Sequence, residues 1–378
     1  MRHGMRFVTV LVIAMMTLFL CTSMIVALGP QHYLSSSALK NWTSGLKGEH
    51  FLQWMSTENR MFAHGLPEEA ETLSLGQVLF QMTTSINTDD PRSLLGRELP
   101  GFSLFDTKIH IAGEGTDYTN LPIESPPPDD LLASDREATK QALEKKKALE
   151  EEGKNKASLD QETPTVYIGA SHTYESFFPE LELDDGTVAD NATHREINIT
   201  MTAERLKQAL AKHGIAAQVE QQDVQATLVE RGLNYRESYN VAREFIQAAK
   251  EENKELHFFF DLHRDSVGRE MTTTEINGDT YARTFFVVGT NYADYAPNLA
   301  VAESLHNMLE EQYPTLSRGV FTKGGANTNG KFNQDLAENS ILMEVGGVDN
   351  SLEETYRAVE AVAEVFAEYY AQQFEGGS

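Results

Sequence analysis

Residues 256–265 read Leu256-His257-Phe258-Phe259-Phe260-Asp261-Leu262-His263-Arg264-Asp265. The first half is an apolar run with no period-two alternation, the pattern of a strand buried on both faces. The second half is dense in ionisable groups. A strand of this kind belongs inside a sheet covered by helices, with its polar residues at the carboxyl end.

The flanking sequence repeats the arrangement. Segments 166–170, 216–219, 283–289 and 340–345 read as further strands. Helical spacing fills the intervals at 198–213, 235–249, 298–311 and 352–370. In the first of these, Ile199, Ala203, Leu206 and Leu210 share a face, and Gly214 follows the helix end. Apolar strands alternating with helices predict an α/β domain over 163–375, with a largely parallel sheet and helices on both faces. In such sheets, sites gather at the carboxyl ends of the strands.

Upstream of this domain the composition changes. The cluster at 121–130 is rich in proline and acid, and 136–156 is nearly all Glu, Lys, Ala and Gln. Residues 121–162 therefore read as a charged linker, helical or disordered, without an apolar face. Residues 29–120 lack a clean repeat and read as a juxtamembrane region. At the start, Arg2 and Arg6 precede an uncharged apolar run over 7–28, long enough to span a bilayer as a helix. Residues 1–28 are thus expected to anchor the chain once in the cell membrane. The N-terminus is then cytoplasmic and the α/β domain extracytoplasmic. The alternative is a cleaved signal peptide, against which stand the length of the run and the lack of a small-x-small cleavage site.

Composition narrows the chemistry. The chain has 378 residues and a formal net charge of −26, which argues against nucleic acid as a partner. Its single cysteine, Cys21, lies in the apolar run, so the exported part has no disulfide and no cysteine-based metal site. Any metal there must use His, Asp and Glu.

Three strand ends carry the ionisable groups. The first leads into Ser171-His172-Thr173-Tyr174-Glu175-Ser176, the second into His263-Arg264-Asp265, and the third holds Glu344. Burying such groups unpaired is expensive, so each needs a partner. One zinc ion satisfies them. His172 and Glu175 reach it from one turn, His263 supplies a third ligand, and Glu344 stays off the metal to take a proton from water. Singly, each of these residues could equally be a hydrogen-bonded structural group. His194 and His213 read as surface or capping residues, and His257 and His306 as structural. Gly324-Gly325-Ala326-Asn327-Thr328-Asn329-Gly330 lacks the Lys-Ser/Thr and helix of a phosphate loop and reads as a flexible loop or lid. No Gly-x-Ser-x-Gly elbow is present.

The ordered motifs resemble the stage II sporulation protein P family of endospore formers. They are Ala170-Ser171-His172-Thr173-Tyr174-Glu175-Ser176-Phe177-Phe178-Pro179, Asp261-Leu262-His263-Arg264-Asp265-Ser266, the segment 282–289, Asn333-Gln334-Asp335-Leu336, and 342–350. The resemblance implies a zinc-dependent N-acetylmuramoyl-L-alanine amidase fold. It implies an enzyme that cuts stem peptides from glycan strands, with endopeptidase action also attributed to the family. It implies work in forespore engulfment beside stage II sporulation proteins D and M. By position, it implies His172, Glu175 and His263 as zinc ligands and Glu344 as acid/base. Arg264, Asn333 and Gln334 follow as substrate-site residues. Two departures stand out. Members often carry His-x-His-x-x-Glu-Ser at the first motif, and Ala170 replaces the first histidine here. Related amidases also take a carboxylate ligand from the start of the next helix, which makes Glu196 the rival of Glu175. Two other readings are a zinc endopeptidase acting only on cross-links and a catalytically silent wall-binding scaffold.

Overall fold

The structure is a computed structural model that describes residues 107–121, 136–155, 163–184, 186–325 and 328–374. The expected anchor at 1–28 and most of the expected juxtamembrane region lie outside the described residues. Among the described residues, no helix is long and apolar enough to cross a membrane.

Eleven strands and seven α-helices are described. They are β1 (Thr107–Ala112), β2 (Glu137–Ala138), α1 (Lys140–Asn155), β3 (Val166–Gly169), β4 (Leu181–Glu182), α2 (Ile199–Lys212), β5 (Ala217–Val219), α3 (Val224–Arg231) and α4 (Ser238–Glu252). Then come β6 (Phe258–Asp265), α5 (Arg269–Thr272), β7 (Thr273–Ile276), β8 (Asp279–Ala282), β9 (Thr284–Gly289), α6 (Ala296–Gln312), β10 (Ser317–Lys323), β11 (Ser340–Gly347) and α7 (Leu352–Phe374). The central sheet has seven strands in the order β1-β10-β9-β11-β6-β3-β5. The block β11, β6, β3 and β5 is parallel throughout, whereas β9 runs antiparallel to β11 and β1 antiparallel to β10. The sheet is therefore largely parallel where the ionisable strand ends sit.

Alternation along the strands divides the core. Ile168, Phe258, Phe260, Leu262, Phe286, Val288, Ile341 and Met343 pack into the main cluster with residues of α2, α6 and α7. Tyr167 and Phe259, on the other face, meet Ile246 and Ala249 of α4. Helices thus cover both faces, as the continuous apolar strands require. Helix α2 starts where expected, because the Asn198 side chain accepts from the Thr200 amide. The β7–β8 hairpin turns at Asn277-Gly278, both with positive φ, the signature of a two-residue turn matched to strand twist.

The folded unit extends further upstream than residue 163. Strand β1 pairs with β10 at the sheet edge. Helix α1, in the stretch expected to be a linker without an apolar face, docks on the domain. Ala142 and Leu149, two turns apart, are buried in the main cluster. Lys145 Nζ reaches Glu180 Oε1 and Oε2 at 2.8 and 3.0 Å and Glu353 Oε2 at 2.7 Å. Arg205 Nη1 binds Glu152 Oε2 at 2.8 Å. The docking stripe is only two small apolar contacts wide and the rest is ion pairing, so hydropathy alone does not reveal it.

Candidate metal centre

Strand β3 ends at Gly169, and the next residues fold into a tight turn in which the Glu175 amide donates to the His172 carbonyl at 3.3 Å. That turn lays His172 and Glu175 side by side, with His172 Nδ1 3.0 Å from Glu175 Oε1. Strand β6, hydrogen-bonded next to β3, brings His263, whose Nδ1 lies 3.7 Å from Glu175 Oε2. The ligand atoms of His172, Glu175 and His263 all fall within 4.8 Å of one another, and all three residues are buried. Two imidazoles and one carboxylate at this spacing form a donor set suited to zinc. The set fits a single metal ion.

Surrounding groups fix it. The Arg264 amide donates to Glu175 Oε2 at 2.8 Å. Asp261 Oδ1 lies 3.2 Å from His263 Nε2. The same carboxylate accepts from the Ser171 amide at 2.7 Å and the Ser171 hydroxyl at 2.6 Å. Asp261 thereby ties the His263 strand to the turn that holds His172. The His172 ring packs on Tyr235, with centroids 4.6 Å apart, and edge-on to Tyr239 at 5.3 Å. Tyr239 also stacks on His263 at 6.0 Å. Both tyrosines come from the segment that opens α4.

The ionisable groups of this pocket set one another's charge. Burial opposes ionisation of Glu175, but hydrogen bonds and charge from His172 and His263 prevail and hold its pKa well below the carboxylate range. Burial likewise opposes charge on Asp261, and His263 and Ser171 draw its pKa down. Burial disfavours the imidazolium of His263, yet Asp261 and Glu175 push its pKa up. Excess negative charge on two buried carboxylates draws in a cation, which the metal would supply.

Glu344 stands opposite His263 in the parallel register of β11 and β6. Paired residues of a ladder face the same side, so it lies one strand over from the triad. It is buried and borders a small cavity with Tyr239, Phe332 and Lys323. Glu196 is elsewhere. It is exposed and pairs with Lys146 at 2.7 Å, so of the two rival carboxylates it is Glu175 that stands beside both histidines.

The remaining sequence candidates touch the site indirectly. The Arg264 guanidinium is buried, with Nη1 3.4 Å from the Asp265 carbonyl, and it is the Arg264 amide that reaches Glu175. The Asn333 amide group donates to the Tyr239 carbonyl at 2.9 Å. Gln334 accepts from the Gly289 amide and donates to the Val287 carbonyl, both at 2.8 Å. Asn333 thus holds the tyrosine wall and Gln334 holds the end of β9. His194 caps the entry to α2, its Nδ1 accepting from the Glu196 and Ile197 amides at 2.9 Å. His306 pairs with Ser317 in the core at 2.7 Å. Asp261 was not singled out from sequence. Its signal was an acid inside an apolar strand, two residues before a histidine and so on the same face.

With this geometry in place, comparison with known proteins decides the family. The sequence profile of "Stage II sporulation protein P" matches residues 89–367. The chain belongs to the stage II sporulation protein P family. It is 40% identical over 362 residues to the "Stage II sporulation protein P" of Bacillus subtilis (strain 168), covering 95% of this chain and 90% of that protein. The family match starts at residue 89, upstream of β1 and α1, in keeping with a folded unit that begins before residue 163.

Proposed function

We propose that this member of the stage II sporulation protein P family is a peptidoglycan hydrolase of spore formation, a zinc-dependent N-acetylmuramoyl-L-alanine amidase. The observation that carries the reading is the buried His172–Glu175–His263 triad with Glu344 in register beside it. Zinc, when bound there, would acidify water toward neutral pH and polarise the scissile carbonyl. His172, Glu175 and His263 would hold it. Asp261 keeps the His263 ring turned so that Nδ1 faces Glu175. Glu344 takes the proton from the attacking water and returns it to the leaving nitrogen of L-alanine, so the amide C–N bond breaks with an amine as product. Tyr235 and Tyr239 wall the histidines and limit water around the reacting groups.

The family's place in sporulation supports a role at the engulfment septum. On this reading, residues 1–28 anchor the chain in the membrane with the catalytic domain outside. Stage II sporulation proteins D and M are its partners there. The test is digestion of purified sacculi by the whole chain. Wild type releases stem peptides free of glycan, and Glu344→Gln lowers the rate by roughly 10²–10⁴-fold with zinc content unchanged. Release of muropeptides cut only at cross-links makes the protein an endopeptidase instead. Digestion at the wild-type rate by Glu344→Gln removes the mechanism, and no digestion by wild type leaves a silent wall-binding scaffold.

A further inference from the structure

A cleft of about 560 Å³ opens between α1, the start of α2 and the residues after β5. It borders Thr173, the residue after His172, and so adjoins the turn that carries two of the triad. It is not a gap left by a loose helix. Helix α1 is tied down on one side by Lys145 to Glu180 and Glu353, and on the other by Glu152 to Arg205. The Gln208 side chain also donates to the Leu149 carbonyl at 2.9 Å. The anchors hold the wall in place and the space stays open, within the range of small-ligand sites.

The lining suits one ligand class. Gly153 and Lys154 come from α1, Thr200 and Glu204 from α2, and Gln222 from the loop after β5. No aromatic ring stands among the described residues of the lining, so a sugar has no face to stack on. Both charge signs and several amide and hydroxyl groups are present, which suits the backbone and the termini of a peptide. We propose that the cleft is the subsite for the peptide arm of the substrate. A short zwitterionic peptide lies along it, with an ammonium group at Glu204 and a carboxylate at Lys154. This rests on the amidase reading of the metal centre, because it places the stem peptide on the β5 side of the triad.

The experiment is calorimetric binding of the free tripeptide L-Ala–γ-D-Glu–L-Lys to the whole zinc-loaded chain. Gly153→Trp puts bulk into the cleft from a position where a Cβ meets only Gln208 Nε2, at ordinary contact distance, and loses a helix-breaking glycine. Wild type is expected to bind, Gly153→Trp to bind at least about tenfold more weakly, and Glu204→Gln about three- to tenfold more weakly. Acetylation of the lysine amine should match Glu204→Gln in wild type and add nothing in that variant. Should Gly153→Trp fold poorly by circular dichroism, Glu204→Gln with the acetylated peptide decides alone. No binding by wild type, or affinity unchanged in the variants, overturns the proposal. The two readings fail separately. If wild type leaves sacculi intact but binds the tripeptide in a Gly153→Trp-sensitive way, the amidase reading falls and the peptide cleft stands.

Discussion

Asp261 Oδ1 lies 3.2 Å from His263 Nε2, two residues away on the same face of β6. The carboxylate selects the orientation in which the other ring nitrogen points to Glu175. Carboxylates behind ligating histidines commonly contribute 10- to 100-fold to metal affinity, so Asp261→Ala is expected to weaken zinc binding by about that factor. Asp261→Asn should do less, because an amide oxygen can still stand beside the ring nitrogen and accept from the Ser171 amide. Competition with a chromophoric chelator measures both. Equal affinity in wild type and Asp261→Ala would show that His263 needs no support.

Zinc removal is expected to lower stability as well as activity. Two carboxylates and two histidines are buried together at the triad and Asp261, and a ligand that binds only the folded chain stabilises it by mass action. At about 100-fold excess over its dissociation constant, zinc adds about 2.7 kcal/mol. A thermal melt should therefore shift downward with chelator and recover with added zinc. The shift should vanish in the His172→Ala, His263→Ala double variant. A chelator-sensitive melt in that variant would place the metal elsewhere.

The strands were legible because they follow from short-range rules, and the triad because each of its residues stands just past or at the end of such a strand. Phe258-Phe259-Phe260 reads as a covered strand, and buried ionisable residues at its end need partners. What was not legible depended on long-range pairing. Of the four apolar residues in the sixteen positions of α1, only Ala142 and Leu149 are buried, and its docking rests on Lys145 meeting Glu180 across 35 residues. Strand β10 and the partner it offers β1 are likewise set by the edge of the sheet. The choice between Glu175 and Glu196 turned on the tight turn after β3, which no periodicity encodes. Asn333 and Gln334 stood out as polar residues in a motif, but their hydrogen bonds go to the backbone of α4 and β9.

Acid should weaken the attachment of α7. Burial works against the charge of Glu354, but Arg269, the Ser351 amide and Asn350 outweigh it and hold its pKa at about 2, against an ordinary 4.5. A pKa lowered by folding contributes stability that is whole above the unfolded value and is lost as pH falls through the folded one. The Glu354 contribution should therefore fade between about pH 4.5 and pH 2. Glu354→Gln is expected to cost roughly 2 kcal/mol at neutral pH, the scale of a charged hydrogen bond. It should also flatten the acid limb of the curve. Urea denaturation across this pH range checks it, and parallel curves for variant and wild type would rule the ion pair out as a source of acid sensitivity.

The Lys145–Glu180 pair offers the sharpest test of whether α1 is part of the domain. Glu180 is wholly buried, and its Oε1 also accepts from the Leu352 amide at 2.8 Å, at the first residue of α7. One carboxylate thus joins α1 to the start of the last helix. Lys145→Met keeps most of the stem packing but strands the buried charge of Glu180, and breaking such a pair costs about 3 kcal/mol. Glu180→Gln in the same chain removes that charge while keeping an acceptor for Leu352, so the double variant should recover part of the loss. Denaturation of the four proteins in a double-mutant cycle gives the coupling directly. A coupling near zero, or a Lys145→Met protein as stable as wild type, would mean that α1 rests on the domain without holding it.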